Sequence, residues 1–189
     1  RREIESRLIE FKKIPKEQHF YELSFCILTP QSQAKKCWEA IENLKEEDFK
    51  NENFNPSNYL KSKTRFHKNK SKYLLELKEK FPEIEKKQKE IKDEGQLREY
   101  LVNNVKGFGL KEASHYLRNI GKGNLAILDR HILKNLQKYK VIKQIPKTLT
   151  KKEYYKIEAQ FLKFSKEINI PMDHLDLLFW SMETGEVFK

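Results

Sequence analysis

The most distinctive chemical feature of the sequence is a glycine turn followed at once by a lysine. Residues 101–114 predict two helices joined by the turn Gly107-Phe108-Gly109. Because neither glycine carries a Cβ, this backbone can pass close to another surface. The second helix begins at Leu110, so its free N–H groups and its positive dipole end suit a phosphate group. The alternative is a turn that only connects two helices.

Two ionisable side chains near this turn could do chemistry. Lys111 follows Gly109 by two positions, and a lysine becomes a nucleophile where burial or a helix amino terminus disfavours its charged form. Asp129 stands 18 residues further on, after the short apolar segment 126–128, and could stabilise positive charge as it develops. Two plainer interpretations stay open. Lys111 can be an ordinary surface lysine, and Asp129 can be the N-cap of the helix that follows it.

The composition indicates a packed protein with a polyanionic partner. The chain of 189 residues carries 39 Lys and Arg against 28 Asp and Glu, a net charge of +11, which favours nucleic acid and less often an anionic membrane surface. The alternative is a solvated Lys- and Glu-rich surface, as in proteins from hot environments. With 38% hydrophobic residues, the chain can form one domain or two small lobes that share a core.

Several classes of site are excluded. Cys26 and Cys37 cannot supply the four thiolates of an iron–sulfur cluster or a structural zinc, so no metal site is expected. Both are expected to be buried free thiols in a reducing cytosol, although a disulfide stays open. No apolar run approaches the ~20 residues of a membrane span and the amino end shows no signal peptide, so a cytoplasmic protein without a membrane partner is expected.

The expected fold class is all-α, because apolar residues recur at helical spacing and no segment alternates as a strand does. Pro82 is expected to end one helix at Phe81. Residues 83–92, a charge run with a few apolar anchors, are expected to form a solvated connection. The predicted helices cover residues 4–14, 20–28, 31–44, 66–81, 96–105, 110–120, 129–139 and 151–168, and a last helix opens at Pro171.

The turn, Lys111 and Asp129 together resemble the helix-hairpin-helix superfamily of base-excision DNA glycosylases. In its bifunctional members a lysine also stands two positions after the second hairpin glycine, and an essential aspartate follows a short apolar segment, as in residues 126–131 here. Ile127 departs from the family, which often has proline there. The resemblance implies a two-lobed fold with a basic cleft where the hairpin and Asp129 meet. One lobe is expected at about 1–45 plus 140–189, and the other at about 46–139, with the hairpin at 101–120.

The resemblance also implies a mechanism. The amine of Lys111 attacks the sugar C1′ and replaces the base, which leaves an iminium. The iminium acidifies the C2′ proton and permits β-elimination of the 3′ phosphate, while Asp129 stabilises the oxocarbenium-like charge. A monofunctional glycosylase activates water and does not need a lysine at this place.

Within the superfamily, the chain resembles the type-2 8-oxoguanine DNA glycosylase/AP lyases of archaea and some bacteria, over nearly its whole length. No cysteine follows Cys37, unlike the cluster-bearing endonuclease III and MutY types, and there is no room for the β domain of the eukaryotic 8-oxoguanine enzymes. The resemblance implies a monomer that acts on double-stranded DNA containing oxidised guanine in a prokaryotic nucleoid. It implies no cofactor, apart from a monovalent cation held by backbone carbonyls of the hairpin.

Two other functions stay open. One is an endonuclease III-like lyase that acts on oxidised pyrimidines without a cluster. The other is a non-catalytic hairpin module that only grips the DNA backbone, and such a module would need neither Lys111 nor Asp129.

The family's DNA contacts fall on further positions. Gln31 is the candidate plug for the gap left by the extruded base, and Trp180 is the candidate aromatic that stacks on that base. Phe66 and His115 are candidate opposite walls of the base pocket, and His131 is a candidate phosphate contact. Trp180 can equally be a core aromatic, and His131 can have a capping or core role.

The carboxyl end is the last candidate element of the pocket. Gly185 can end the final helix and turn the chain. The resemblance then implies that Lys189 closes the base pocket and that its carboxylate recognises the oxidised purine, provided that it is the natural terminus. The alternative is a frayed tail.

Overall fold

The computed structural model describes residues 2–189, and in this range it contains helices and turns but no strand. The all-α prediction is therefore confirmed. The helices are α1 (Arg2–Lys12), α2 (His19–Leu28), α3 (Ala34–Glu46), α4 (Ser57–Leu60), α5 (His67–Glu90), α6 (Glu94–Asn104), α7 (Leu110–Asn119), α8 (Arg130–Lys138), α9 (Lys151–Glu167) and α10 (Met172–Thr184).

The helices form two compact units. Unit 1 consists of the amino-terminal segment ending at Lys13 together with Leu117–Lys189, and unit 2 is Ile14–Tyr116. These boundaries differ from the expected ones near residues 45 and 139. Helix α2 packs against α3 and α5, which places the early helices in unit 2, while α8 and α1 pack against α10 in unit 1.

Unit 2 is built around α2, which is buried along its whole length from Phe20 to Leu28. The prediction of a helix at residues 20–28 is confirmed here. Phe20 makes edge contacts with the rings of Tyr21 and Phe81, with ring centroids 5.2 and 5.3 Å apart. Such aromatic pairs add to the burial of apolar surface that stabilises this unit.

Helix α5 is longer than expected. The prediction that it ends at Pro82 is wrong, because the helix continues through this proline to Glu90. The residues beyond Pro82 were expected to be a solvated connection with a few apolar anchors. They are helical instead, and Ile84 is buried. It extends the apolar stripe formed by Leu74, Leu77 and Phe81. Burial of this stripe therefore outweighs the cost of a proline inside a helix.

Unit 1 contains a buried ion pair. The Arg118 guanidinium lies 3.2 Å from the Asp176 carboxylate, and only 5% and 9% of the two side chains are exposed. The same guanidinium lies over the ring of Phe11, 5.0 Å from its centroid. Burial raises the pKa of Asp176 to about 7, although Arg118 pulls it down. Within unit 1, this pair ties the carboxyl-terminal end of α7 to α10.

The remaining sequence expectations concern thiols, metals and membranes. Cys26 and Cys37 are both buried, and neither forms a disulfide within residues 2–189, as expected. Across residues 2–189, no cluster of three or more His, Cys, Asp and Glu side chains is arranged to hold a metal ion. In the same range no helix has the length and apolar character that crossing a bilayer requires.

Candidate active site

The glycine turn joins α6 to α7 and forms the expected hairpin. Gly107 has a left-handed φ of 84°, which a glycine adopts without strain. A Cβ at this position would also lie 2.9 Å from the ring of Tyr73. Phe108 is buried, and its N–H donates to the carbonyl of Val105 at 3.2 Å. The absence of a side chain at Gly107 therefore allows the hairpin backbone to lie close to Tyr73 of α5.

Lys111 lies in the first turn of α7, and its neighbour Glu112 connects it to the hairpin. The N–H of Gly109 donates to Glu112 Oε2 at 3.0 Å, and Glu112 Oε1 lies 3.1 Å from Lys111 Nζ. The first contact resembles half of a capping box, in which a glutamate three residues into a helix bonds the N-cap N–H. Glu112 thus restrains the lysine at the amino end of the helix, and its spacing from Gly109 was a signal that the sequence offered.

Asp129 is the N-cap of α8, as one sequence interpretation held. Its Oδ1 accepts hydrogen bonds from the N–H groups of His131 and Ile132, both at 2.8 Å. No hydrogen bond to Oδ2 is made among residues 2–189, so this oxygen can face a developing positive charge. A cap and an electrostatic role are therefore compatible in one carboxylate.

The segment before Asp129 is fastened to α9 by two side chains that sequence reasoning missed. The Tyr154 hydroxyl donates to the carbonyl of Ala126 and accepts the N–H of Leu128 at 3.3 Å. Glu158 Oε2 accepts the N–H of Ala126 at 2.8 Å. Tyr154 and Glu158 lie four residues apart on one face of α9, which is a helical spacing, but the sequence does not show what that face contacts.

Gln31 and Phe66 occupy turns of unit 2 and share an unusual backbone. Both have a left-handed φ, 55° for Gln31 and 58° for Phe66, and both side chains are exposed, that of Phe66 by 52%. The Arg65 guanidinium lies over the Phe66 ring, 5.1 Å from its centroid. Left-handed backbone in residues other than glycine persists only where surrounding structure holds it.

The two candidate histidines lie in different surroundings. His115 is buried in unit 2, where it meets the ring of Phe25 edge-on at 5.7 Å, so its burial favours a packing role. His131 is half-buried in unit 1, and its Nδ1 lies 3.9 Å from Glu183 Oε2. Its backbone N–H is one of the two that Asp129 caps.

The last helix carries Trp180 and ends as the sequence predicted. Trp180 is half-buried on α10. Gly185 has a left-handed φ of 82°, and its N–H donates to the carbonyl of Ser181 at 2.8 Å, which turns the chain. The four residues after it are non-helical, and each is half-buried rather than fully exposed.

The candidate residues are divided between the two units. Lys111, the hairpin, Gln31, Phe66 and His115 lie in unit 2. The other candidates lie in unit 1 and are Asp129, His131, Trp180 and Lys189.

These features define a class of protein. The chain is all-α, a lysine lies in the first turn of the helix after a Gly-x-Gly hairpin, and an aspartate caps a helix after a short apolar segment. This combination is that of the helix-hairpin-helix DNA glycosylases.

Similarity to known proteins narrows this class. The family model described as 8-oxoguanine DNA glycosylase matches residues 4–170. An 8-oxoguanine DNA glycosylase/AP lyase of Fusobacterium nucleatum is 48% identical, over 98% of this chain and 91% of that protein. The Methanocaldococcus jannaschii 8-oxoguanine glycosylase/lyase, whose crystal structure is in complex with 15mer DNA containing 8-oxoguanine, is 35% identical in sequence to this chain. The superposition of the two structures has a TM-score of 0.89 and covers 98% of this chain and 91% of the M. jannaschii chain.

A third relative indicates the same family. The 8-oxoguanine DNA glycosylase of Thermotoga maritima is 32% identical with a TM-score of 0.87, over 98% of this chain and 91% of that chain. The chain therefore belongs to the 8-oxoguanine DNA glycosylase family, as its motifs indicated.

Proposed function

We propose that this chain excises 8-oxoguanine from double-stranded DNA and cleaves the strand at the resulting abasic site. The observation that carries the proposal is Lys111 at the start of α7, directly after the hairpin and restrained by Glu112. Relatives that align along nearly the whole chain are named 8-oxoguanine DNA glycosylase/AP lyase, and their name includes both reactions.

The proposed reaction assigns one role to each of the two ionisable groups. Lys111 Nζ, as a neutral amine, forms a bond to C1′ while the C1′–N9 bond breaks, and the base leaves with that electron pair and then gains a proton. Asp129 stabilises the positive charge that the sugar carries as the base leaves. Loss of the amine proton and opening of the sugar ring give an iminium. Removal of the C2′ proton then expels the 3′ phosphate.

The surrounding residues supply the DNA contacts in this proposal. The hairpin glycines bring backbone N–H groups to a phosphate, and His131 contacts a second phosphate. Gln31 fills the gap left by the extruded base, while Trp180 and Phe66 stack on nucleobases. The net charge of +11 adds sequence-independent attraction to the duplex. The chain acts as a monomer on nucleoid DNA in the cytoplasm.

The hairpin turn also fits the monovalent cation that the family implies. The Val105 carbonyl accepts the N–H of Phe108, but within residues 2–189 no hydrogen bond to the Lys106 and Gly107 carbonyl oxygens is made. Backbone carbonyl oxygens of this kind can replace the hydration shell of such an ion. The cation would hold the turn in shape while the N–H groups face the phosphate.

Borohydride trapping on three duplexes tests the proposed function. We expect the wild-type chain to form a trapped adduct with DNA that contains 8-oxoguanine or an abasic site, and none with thymine glycol, because the iminium forms only where the base is removed. Adduct on thymine glycol without adduct on 8-oxoguanine would indicate the endonuclease III-like alternative. Binding without adduct on any duplex would indicate a non-catalytic hairpin module.

Where Lys189 is the natural last residue, the carboxyl-terminal tail is proposed to select the oxidised base. 8-Oxoguanine carries a proton on N7 where guanine has a lone pair, so a carboxylate aimed at N7 accepts a hydrogen bond only from the lesion. The mismatch with guanine costs about 1–3 kcal/mol, as for a buried polar group left unpaired. The turn at Gly185 and the half-burial of the residues after it support a tail that is placed rather than frayed.

Deleting Phe188 and Lys189 should therefore reduce excision of 8-oxoguanine much more than cleavage at a preformed abasic site, which has no base to recognise. Both rates are measured under single-turnover conditions. Where Lys189 is the natural last residue, appending residues after it moves the carboxylate but keeps both side chains, and this variant should show the same pattern. A truncated chain that excises 8-oxoguanine at the wild-type rate would assign the tail no part in recognition.

A further inference from the structure

A buried lysine that the proposed reaction does not use lies at the start of α5. Only 5% of Lys70 is exposed, yet its ammonium has four oxygen atoms around it. Nζ donates to the carbonyls of Leu28 and Pro30, both at 2.7 Å, and to Thr64 Oγ1 at 2.8 Å. Ser32 Oγ lies 3.3 Å away. The three ammonium protons are thus used on backbone and hydroxyl oxygens, and no carboxylate takes part.

These oxygens come from two turns that are far apart in the sequence. Leu28, Pro30 and Ser32 lie at the α2–α3 connection, and Thr64 lies before α5. The turns are also bonded to each other, since Thr64 Oγ1 donates to the Leu28 carbonyl at 2.7 Å and the Arg65 N–H donates to Ser32 Oγ at 2.9 Å. Lys70 is therefore the centre of a polar cluster that joins them.

The pKa of Lys70 is lowered to about 8, mainly by burial and to a smaller extent by the nearby charge of Lys111. The ammonium form still predominates at neutral pH, so it can donate all three hydrogen bonds. Since a buried charge is retained only where it is well bonded, the cluster must be assembled around this lysine. Its burial also keeps it from reaching a sugar carbon as a second nucleophile.

Each of the two turns carries an exposed residue with left-handed backbone. Gln31 protrudes from the first turn, and Phe66, with Arg65 over its ring, protrudes from the second. Left-handed backbone is unfavourable for both residues, so it needs support from the structure around it. Lys70 supplies that support, because it bonds the residue before Gln31 and a residue two positions before Phe66.

We propose that Lys70 is a positioning residue that fixes Gln31 and the Arg65–Phe66 pair as one rigid wedge. Gln31 enters the duplex where the damaged base leaves, and Phe66 is a wall for that base. The inference rests on the proposed function. Extruding a base costs unstacking and unpairing free energy, and a wedge that is already in place compensates for this cost without ordering two loops on binding. Lys70 would thus favour base extrusion and take no part in bond cleavage.

Replacing Lys70 by methionine, which keeps a long side chain but has no charge and no donor, tests this role. Lys72→Met removes the same charge from an exposed position of the same helix and is the matched control. We expect Lys70→Met to slow single-turnover excision of 8-oxoguanine by about 10- to 100-fold, the range for misplaced positioning groups. Cleavage at a preformed abasic site, where no base must be extruded, should change little. Lys72→Met should show no such difference between the two substrates.

A fluorescence readout separates wedge insertion from chemistry. 2-Aminopurine beside the lesion brightens when its stacking is broken, and we expect wild type to raise this signal and Lys70→Met to raise it far less. If Lys70→Met does not fold, Ser32→Ala is the second variant, because it removes only one hydroxyl of the cluster. It should give an intermediate loss in both measurements.

Wild-type rates and fluorescence in folded Lys70→Met, or in Ser32→Ala where only that variant folds, would overturn the inference. So would equal losses on both substrates, because Lys70 would then act on the chemical step. Failure of the wild-type chain to excise 8-oxoguanine would instead contradict the proposed function, and the fluorescence change would still report whether the wedge depends on Lys70.

Discussion

Replacing Lys111 by glutamine should abolish the borohydride-trapped adduct, on 8-oxoguanine duplexes and on abasic duplexes alike. Glutamine keeps a polar side chain of similar reach that can still bond Glu112, but its amide nitrogen has no lone pair available for attack. Binding to lesion DNA should be largely preserved, because one charge among 39 Lys and Arg residues is lost. The measurement is adduct yield on a denaturing gel, with affinity measured separately.

Lys106→Gln is the matched control for this loss of charge. Lys106 is an exposed residue of the hairpin itself, next to Gly107. The proposed reaction gives its side chain no part in bond formation. Its replacement should weaken binding modestly and leave trapping intact. Undiminished adduct with Lys111→Gln would move the nucleophile to another amine.

Replacing Asp129 by asparagine should reduce base excision by at least about 10², the lower scale for losing a positioned electrostatic group. Asparagine is as good an N-cap as aspartate, so its side-chain oxygen can keep the bonds to His131 and Ile132 and the fold should be retained. Binding should also be spared, because the charge that the carboxylate stabilises appears only as the base leaves. Single-turnover excision and duplex affinity are the two measurements.

The chain offers the same substitution at a second helix cap. Asp93 caps α6 through the N–H of Gln96 at 2.8 Å, and Asp93→Asn exchanges the same groups at a site without a proposed role in the reaction. We expect this control to excise 8-oxoguanine normally. Near-normal excision by folded Asp129→Asn would reduce Asp129 to a helix cap.

The parts of the site that the sequence predicted depend on local rules. A left-handed turn at Gly107, a helix that begins at Leu110, a cap at Asp129 and a chain turn at Gly185 each involve residues a few positions apart. Dihedral preferences and N–H groups without helical partners determine such features, and both can be evaluated from neighbouring residues alone. The class of protein followed from the same short segments.

The parts of the structure that the sequence did not predict depend on contacts between distant residues. Local rules end α5 at Pro82, whereas burial of Ile84 against the rest of unit 2 carries the helix onward. Lys70 looks like any other lysine of a basic helix until folding brings it to Leu28, 42 positions away. Tyr154 likewise meets Ala126 across 28 positions.

The sequence by itself therefore determined the all-α class, the hairpin with Lys111, and Asp129 as a helix cap, because each is encoded within a few consecutive residues. Only the tertiary structure decided which helices share a unit, how far α5 extends and which side chains support the candidate site. Those outcomes depend on the burial of apolar surface and of polar groups that must find partners, and this is a property of the whole packed unit and of no single segment.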